Sequence, residues 1–156
     1  MRRSPLCSPR RAKPGRALRL PPVPSGFEQT VRVQLRWRDI DLLGHLNQSV
    51  YHELLEEGRV ALMAELMRRV GDDHVHGGYV LAHVDLDHHA EVRKDHEEVD
   101  VFVRVGHVGT SSFVLEHEVR LLDGSLAASG KSVLVGWDPS RRGKRALSER
   151  ERAALS

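Results

Sequence analysis

RDIDLLGHLN, residues 38–47, is the stretch of this 156-residue chain that decides its fold. Within ten residues it holds two aspartates, a glycine, a histidine and an asparagine, and it lies between a strand-like and a helix-like pattern. A turn this polar between two apolar elements is costly unless it caps the helix or carries out chemistry. We predict that it does both.

Apolar residues recur with one period before the turn and with a different period after it. Apolar and polar residues alternate from Val31 to Trp37, which predicts a half-buried strand. After the turn, apolar residues recur at three- and four-residue spacing, which predicts a helix that is capped by Asn47 or Ser49 and ends near Val70. The turn therefore joins a strand to a long helix.

The rest of the chain predicts an antiparallel sheet for this helix to lie against. Four strand-like runs follow, over about 79–89, 98–108, 111–122 and 126–137. A short helix within 147–155 begins with Ser148 and Glu151 in a capping-box arrangement. One strand, one long helix and a meander indicate an α+β fold. Gly58, in the apolar stripe of the helix, costs about 1 kcal/mol relative to alanine, which favours close approach by a packed element.

The composition indicates one globular domain. A chain of 156 residues with 40% hydrophobic and 29% charged residues fits a single domain, and no apolar run approaches the roughly 20 residues that cross a bilayer. Cys7 is the only cysteine, which excludes an internal disulfide and favours a reducing, cytoplasmic location. Aromatic residues make up 4%, which argues against recognition of single-stranded nucleic acid by stacking.

Basic charge is concentrated in an N-terminal segment, 1–27. Before Phe27 there are seven basic residues, no acidic ones and six of the seven prolines, which leaves 17 basic against 22 acidic residues in the rest of the chain. Such a segment buries little apolar surface, so we expect disorder; a transit peptide, a nucleic-acid-binding arm and a misassigned start codon are the alternatives. We divide the remainder into a domain over 28–140 and a basic C-terminal tail with a short helix over 141–156.

Three motifs occur in a recognisable order. They are Asp39-Ile40-Asp41-Leu42-Leu43-Gly44, then Tyr51 with Glu56-Glu57-Gly58-Arg59, and finally Gly109-Thr110-Ser111-Ser112-Phe113. In order and spacing, over about residues 28–140, they resemble the hotdog fold and, within it, the 4-hydroxybenzoyl-CoA thioesterase family of acyl-CoA thioesterases. The resemblance implies one long helix wrapped by a five- to six-stranded antiparallel sheet.

The resemblance also implies an activity. It implies a thioesterase for an acyl-CoA (or acyl-ACP) substrate that uses no cofactor and no metal, with an active site between the subunits of a homodimer or homotetramer and the acyl group along the long helix. The family's catalytic aspartate falls on Asp41. The Gly44-His45-Leu46-Asn47 turn resembles the branch that includes the plant acyl-ACP thioesterases, in which a histidine at the position of His45 contributes. Leu43 departs from that branch's asparagine, so more of the work falls on Asp41.

Elementary chemistry agrees with these roles. Thioester hydrolysis needs a base or nucleophile near the carbonyl carbon and donors for the developing oxyanion. A carboxylate at the mouth of a helix can activate water or attack directly, and unpaired N–H groups over 47–50 can polarise the carbonyl. The predicted catalytic residues are Asp41, His45 and Asn47, and the predicted substrate-binding residues are Tyr51, Gly44, Ser111 and Ser112.

Several of these residues also have structural explanations. Asp41 and Asn47 are suited to capping, Ser111 and Ser112 to closing a hairpin, and Asp39 to hydrogen bonding with the turn backbone. Glu56 and Arg59, three residues apart on the helix, predict an ion pair. Because some relatives use a helix carboxylate, Glu56 and Glu57 stay as minor catalytic candidates.

One strand carries four residues of the types that bind metals. They alternate along one face: His83, Asp85, Asp87 and His89. Same-face neighbours on a strand lie about 7 Å apart, too far for all four to hold one ion, so we predict a polar face exposed to solvent or to a second subunit.

Two other functions remain alternatives. The first is a hotdog module that binds acyl-CoA without cleaving it, which the apolar Leu43 in the turn mildly favours. The second is nucleic-acid association through the basic segment 1–27, although no helix-turn-helix pattern supports it.

Overall fold

A six-stranded antiparallel sheet and one long helix make up the fold, seen in a computed structural model that describes residues 26–71 and 78–156. The elements are β1 (Glu28–Gln34), α1 (Gln48–Val70), β2 (Gly78–His88), β3 (Glu98–Val108), β4 (Ser112–Leu121), β5 (Leu126–Asp138), β6 (Gly143–Lys144) and α2 (Glu149–Leu155). The strands are ordered β1-β3-β4-β5-β2, with β6 paired to β5. This confirms the predicted α+β hotdog fold. Residues 1–25 of the predicted N-terminal segment, including Cys7, lie outside the described residues.

The long helix has the ends that the sequence predicts. The side-chain oxygen of Asn47 accepts the N–H of Ser49 at 3.0 Å and α1 starts at Gln48, so Asn47 rather than Ser49 is the N-cap. The helix ends at Val70 because Gly71 adopts a φ of 84°. Neither helix in the described ranges is long and apolar enough to cross a membrane.

Gly58 is where the helix comes closest to the sheet. A Cβ on Gly58 would lie 3.1 Å from Cγ1 of Val101 and 3.6 Å from Cβ of Val103, both fully buried on β3. The helix packs against β3 and the neighbouring β1. The predicted close approach is confirmed, and it sets which side of α1 faces the sheet.

The meander follows the prediction closely. β3 has the predicted bounds, and the bounds of β2, β4 and β5 each differ from the prediction by one residue at most. On β4 every second residue from Phe113 to Leu121 is buried against the helix side of the sheet. His117 is the one titratable residue in that buried row.

The first strand is shorter at its C-terminal end than predicted. β1 ends at Gln34, and Trp37 begins a short 3-10 turn with 77% of its surface exposed, so the predicted burial of Trp37 is wrong. The cause is Asp39, whose buried carboxylate accepts the N–H of Arg36 at 2.7 Å and folds the chain out of the strand. The Lys94 ammonium lies over the exposed ring of Trp37, 2.8 Å from the centroid of that ring. The predicted structural role of Asp39 is confirmed.

The C-terminal residues pack onto the domain. β6 pairs with β5, and Leu147 and Leu155 are buried in one cluster with Leu62 and Leu66 of α1. The Ser148 hydroxyl accepts the N–H of Glu151 while the Glu151 carboxylate accepts the N–H of Ser148, which confirms the capping box. The segment predicted as a tail over 141–156 therefore contributes to the core.

Glu151 is the centre of a buried polar network that holds α2 in place. Its side chain is 1% exposed, accepts two hydrogen bonds from the Arg145 guanidinium at 2.7 and 2.8 Å, and accepts another from the Tyr79 hydroxyl. Burial alone would raise the pKa of Glu151, but the hydrogen bonds from Arg145, Tyr79 and the backbone of Ser148 outweigh it and lower the pKa to about 2. Glu151 is therefore ionised in the folded protein.

Replacing Gly58 by leucine will lower the free energy of unfolding by about 1–3 kcal/mol, because the new side chain must displace the two valines of a packed core. Urea denaturation measures the change. Ala64→Leu, on the exposed side of the same helix, is the matched control and will change stability by less than about 0.5 kcal/mol. An equal loss in both variants would contradict close packing at Gly58.

Replacing Glu151 by glutamine will lower the free energy of unfolding by about 3 kcal/mol at pH 7, because a neutral amide leaves the buried Arg145 without its counter-charge. The folded-state pKa lies below the ordinary value of 4.5, so the carboxylate stabilises the fold fully above pH 4.5 and progressively less toward pH 2.

The difference between wild type and Glu151→Gln in urea denaturation will therefore narrow as the pH falls below 4.5. Glu149→Gln, exposed on the same helix, controls for loss of a first-turn carboxylate. A difference that stays constant with pH would show that the ion pair is not its source.

Candidate active site

The turn between β1 and α1 holds the carboxylate of Asp41 by one oxygen. Oδ1 of Asp41 accepts the backbone N–H groups of Leu43 at 2.8 Å and His45 at 3.1 Å. Gly44 has a φ of +82° and donates its N–H to the carbonyl of Asp41, closing the turn. Within the described ranges Oδ2 of Asp41 accepts no hydrogen bond from the protein. One carboxylate oxygen anchors the turn while the other remains free for chemistry.

A second segment, the loop that follows β2, lies alongside this turn. His45 and Arg93 form an isolated antiparallel bridge, and the N–H of Leu46 donates to the carbonyl of Val92 at 2.7 Å. This pairing brings Glu91 to the imidazole of His45, with 3.0 Å between Oε2 and Nε2. Glu91 also lies 3.3 Å from the guanidinium of Arg93. The imidazole of His45 is thereby oriented by a carboxylate through Nε2, which leaves Nδ1 as its other polar atom.

Between these two segments lies an open cleft with a volume of about 510 Å³. Its lining residues are Asp41, His45, Leu46, Gln48, Tyr51, His88, His89, Ala90, Glu91 and Val92. The Tyr51 ring is 4% exposed and meets the His88 ring edge-on, with 4.6 Å between centroids. Burial raises the pKa of Tyr51, so its hydroxyl stays protonated and can donate a hydrogen bond. The cleft combines a carboxylate, an imidazole and a phenol.

The start of α1 offers fewer free donors than predicted. The N–H of Asn47 donates to Asp39, and the side chain and carbonyl of Asn47 accept the N–H groups of Ser49 and Val50. Of the predicted donors over 47–50, only the N–H of Gln48 has no partner in the described part of the chain. Gln48 also lines the cleft, whereas exposed Asn47 is not among the lining residues. Among the described residues, the N–H of Gln48 is therefore the one predicted donor that remains available to stabilise an oxyanion. Asn47 acts as the helix cap.

Ser111 and Ser112 lie away from this cleft. The carbonyl of Ser112 accepts the N–H of Gly109 and closes the turn of the β3–β4 hairpin, whereas the carbonyl of Ser111 accepts the N–H of Gly136 on β5. The adjacent Phe113 packs with Leu66, in the C-terminal half of α1. Within a single chain, Ser111 and Ser112 therefore lie away from Asp41, whereas Gly44 and Tyr51 lie beside Asp41.

Two other predicted groupings have a clear outcome. Arg59 makes no ion pair with Glu56 among the described residues; it points to β5 instead, with Nη1 3.4 Å from the hydroxyl of Ser132, so that prediction is wrong. His83, Asp85 and Asp87 on β2 and His89 just after its end are all exposed, as predicted for a polar face. No group of three or more potential metal ligands is found within residues 26–71 and 78–156.

Sequence reasoning missed Glu91 and His88. Glu91 and His88 lie more than forty residues from the turn, and no periodicity connects them to it. They reach the cleft only because the loop after β2 pairs with the turn. Gln48, in contrast, lies within the predicted donor segment 47–50, because the first helical residue after a cap keeps an unpaired N–H.

Comparisons with known proteins agree with this fold. The chain matches the family model of the thioesterase-like superfamily over residues 35–155. It is similar to a thioesterase from Thermus thermophilus complexed with coenzyme A and zinc, at 32% identity and a TM-score of 0.68, with 81% of this chain and 95% of that chain covered. A candidate thioesterase from Pseudomonas aeruginosa is 29% identical, with a TM-score of 0.70 and coverage of 81% and 97%.

A more distant structure shares the fold alone. It is a 4-hydroxybenzoyl-CoA thioesterase variant complexed with 4-hydroxybenzoyl-CoA, 14% identical, with a TM-score of 0.70 and coverage of 83% and 99%. No curated protein matches the chain.

The chain therefore belongs to the thioesterase-like superfamily. It is a hotdog-fold thioester hydrolase of the acyl-CoA thioesterase class, as the sequence predicts. The alternative of a hotdog module that binds acyl-CoA without cleaving it receives no support from these matches.

Proposed function

We propose that this thioesterase hydrolyses an acyl-CoA (or acyl-ACP) in the cleft beside α1, with Asp41 as the catalytic carboxylate. The observation that supports this is the state of that carboxylate. It lines the cleft, one oxygen is fixed by two backbone N–H groups, and the other oxygen is unengaged by the described residues. A carboxylate so held is oriented without being neutralised.

The chemistry has two routes that end in the same products. As a general base, Asp41 takes a proton from water, the water oxygen bonds to the carbonyl carbon, and the C–S bond then breaks as the thiolate takes the proton back. As a nucleophile, Asp41 forms a mixed anhydride with loss of the thiolate, and water hydrolyses that anhydride. In both routes the N–H of Gln48 is placed to stabilise the negative oxygen, together with the partial positive charge at the helix N-terminus.

His45 is the second member of the proposed site. Its Nε2 is occupied by Glu91, so the ring presents Nδ1 and the edge of the imidazole toward the remaining cleft. We assign Glu91 as a positioning residue that fixes the ring rather than touching the substrate. Tyr51 and Gly44 are the proposed substrate contacts within the same chain, and Asn47 contributes by holding the helix start.

The proposed assembly is a homodimer or homotetramer. β2 is an edge strand with exposed residues, and Leu42 and Leu43 beside the cleft are almost fully exposed, which is the kind of surface a second copy covers. A second copy is also the route by which Ser111 and Ser112 would reach a bound substrate. A cytoplasmic location and the absence of a nucleic-acid partner stay predictions.

Asp41→Asn will lower kcat for acyl-CoA hydrolysis at least about 100-fold, because the amide can still anchor the turn through its oxygen but can neither accept a proton nor attack. Thiol release from a panel of alkyl and aryl acyl-CoAs measures the rate. Asp100→Asn, which loses an exposed ion pair with Arg32 on β3, is the control and keeps the wild-type rate. Hydrolysis by Asp41→Asn at the wild-type rate would remove Asp41 from the mechanism.

Glu91→Gln will lower kcat about 10-fold with little change in KM, because the ring of His45 loses its charged hydrogen-bond partner while the substrate contacts remain. A double-mutant cycle with His45→Ala measures whether Glu91 acts through His45. The double variant will be no slower than His45→Ala alone, and Glu91→Asp will recover part of the rate. Additive losses would show that Glu91 acts independently of the imidazole.

A further inference from the structure

Arg59 is a half-buried cation that forms an ion pair with none of the residues 26–71 and 78–156. It stands next to Gly58 on α1, so its Cα lies about 100° around the helix from the line of closest contact with β3. From there its guanidinium reaches across to β5, where Nη1 lies 3.4 Å from the hydroxyl of Ser132. Within the described ranges it makes no ion pair and no other hydrogen bond. Burial lowers the pKa of Arg59, with the charge of Glu56 opposing, yet a guanidinium stays protonated.

His117 adds two more unused polar atoms to the same region. It is 1% exposed, and neither of its ring nitrogens has a hydrogen-bond partner among the described residues. Ser132 pairs with Leu115 in the β4–β5 register, two residues before His117, so Ser132 and His117 are diagonal neighbours on the buried face. Burial, followed by the charge of Arg59, lowers the pKa of His117 to about 4 against the opposing charge of Asp85, so the ring is neutral at pH 7.

Of this cluster of Arg59, Ser132 and His117, Arg59 lies on α1, the helix that borders the cleft, and Ser132 and His117 lie on β5 and β4. Tyr51 lines the cleft and Arg59 lies eight residues further along α1, a rise of about 12 Å. An arginine side chain on a helix leans toward the N-terminus, which brings the guanidinium back toward the cleft. An acyl group that starts at Asp41 and follows α1 would therefore end near this cluster.

We propose that the cluster of Arg59, Ser132 and His117 binds a carboxylate at the far end of the acyl group, so that the preferred substrates are monothioesters of dicarboxylic acids. This inference rests on the proposed function of the cleft, because it requires the thioester to lie beside Asp41. Arginine and carboxylate form paired, charge-assisted hydrogen bonds, and the ring of neutral His117 has a donor to add. A methyl-terminated chain of the same length would leave all of these groups unpaired.

The free-energy cost of leaving the polar groups of Arg59, Ser132 and His117 unpaired makes the site selective. A pocket built from hydrogen-bonding groups rejects an analogue that lacks the matching group much more strongly than an apolar pocket rejects one extra methylene. The opposite requirement also holds: an acyl chain with a charged end enters a hotdog interior only if a counter-charge is present. Arg59 is the only cation of this cluster.

The wild-type enzyme tests the proposal without any variant. Glutaryl-, adipyl- and suberyl-CoA are compared with hexanoyl-, heptanoyl- and nonanoyl-CoA, their methyl-terminated counterparts. We expect at least one carboxylated member to be hydrolysed with kcat/KM at least about 10-fold above its counterpart. Equal or lower values for all three carboxylated substrates would overturn the proposal, even if all six are hydrolysed and the thioesterase assignment stands.

Variants then assign the preference to Arg59. Arg59→Met will abolish the preference for the carboxylated substrate while retaining hydrolysis of the alkyl substrate, and Arg59→Lys will keep part of it. Arg68→Met, an exposed arginine on the same helix, will keep the wild-type ratio. An unchanged ratio in Arg59→Met would overturn the role of Arg59.

A further measurement distinguishes failure of the proposed catalytic cleft from failure of the proposed carboxylate site. If no acyl-CoA releases thiol, the catalytic assignment of the cleft fails, and calorimetric binding of glutaryl-CoA and hexanoyl-CoA to the wild-type protein still measures selectivity. Tighter binding of glutaryl-CoA then supports the carboxylate site, and equal binding overturns it.

Discussion

The hydrogen bonds inside the turn at residues 38–47 are the constraint on which the rest of the structure depends. Asp39 turns the chain out of β1, and Asp41 closes the next turn through the N–H groups of Leu43 and His45. The N–H of Asn47 returns to the carbonyl of Asp39, so the start of the helix is fixed relative to the strand. Starting α1 one residue later would rotate every side chain on it by about 100° and move Gly58 away from Val101.

Buried polar groups are treated in two different ways in this molecule. Glu151 has its charge balanced by Arg145 and further hydrogen bonds from Tyr79 and Ser148, so its network holds α2 on the domain and has little to offer a ligand. Among the described residues Arg59 and His117 have almost no hydrogen-bond partners, although each unpaired buried group costs free energy. We infer that the Glu151 network is structural and that Arg59 and His117 are left unpaired so that they can bind substrate.

The cleft is an assembly of two segments that are distant in sequence. The turn supplies the carboxylate and the helix start, and the loop after β2 supplies the carboxylate that orients the imidazole. Only the backbone pairing of His45 and Leu46 with the segment 92–93 brings them together. A shift of that loop would leave Asp41 in place and would separate His45 from Glu91, so the two members of the site depend on different parts of the fold.

The sequence by itself determined the features that local chemistry decides. The bounds of α1, a cap at Asn47 or Ser49, the meander, the capping box at Ser148 and the place of Asp41 at the helix mouth all follow from residue spacing and capping preferences. Periodicity works there because each element must bury one face, whatever the rest of the chain does.

Only the tertiary structure decided where Trp37, Arg59 and Glu91 lie. Alternation carried the predicted strand through Trp37, but a buried carboxylate at Asp39 bent the chain first. Spacing paired Arg59 with Glu56, but the long side chain of Arg59 reaches from α1 to β5, where the hydroxyl of Ser132 accepts its hydrogen bond. Glu91 has no local signal at all, because its contact with His45 comes from strand-like pairing between segments over forty residues apart. Long-range contacts of this kind depend on how the sheet curls, and the spacing of residues along the chain does not encode that.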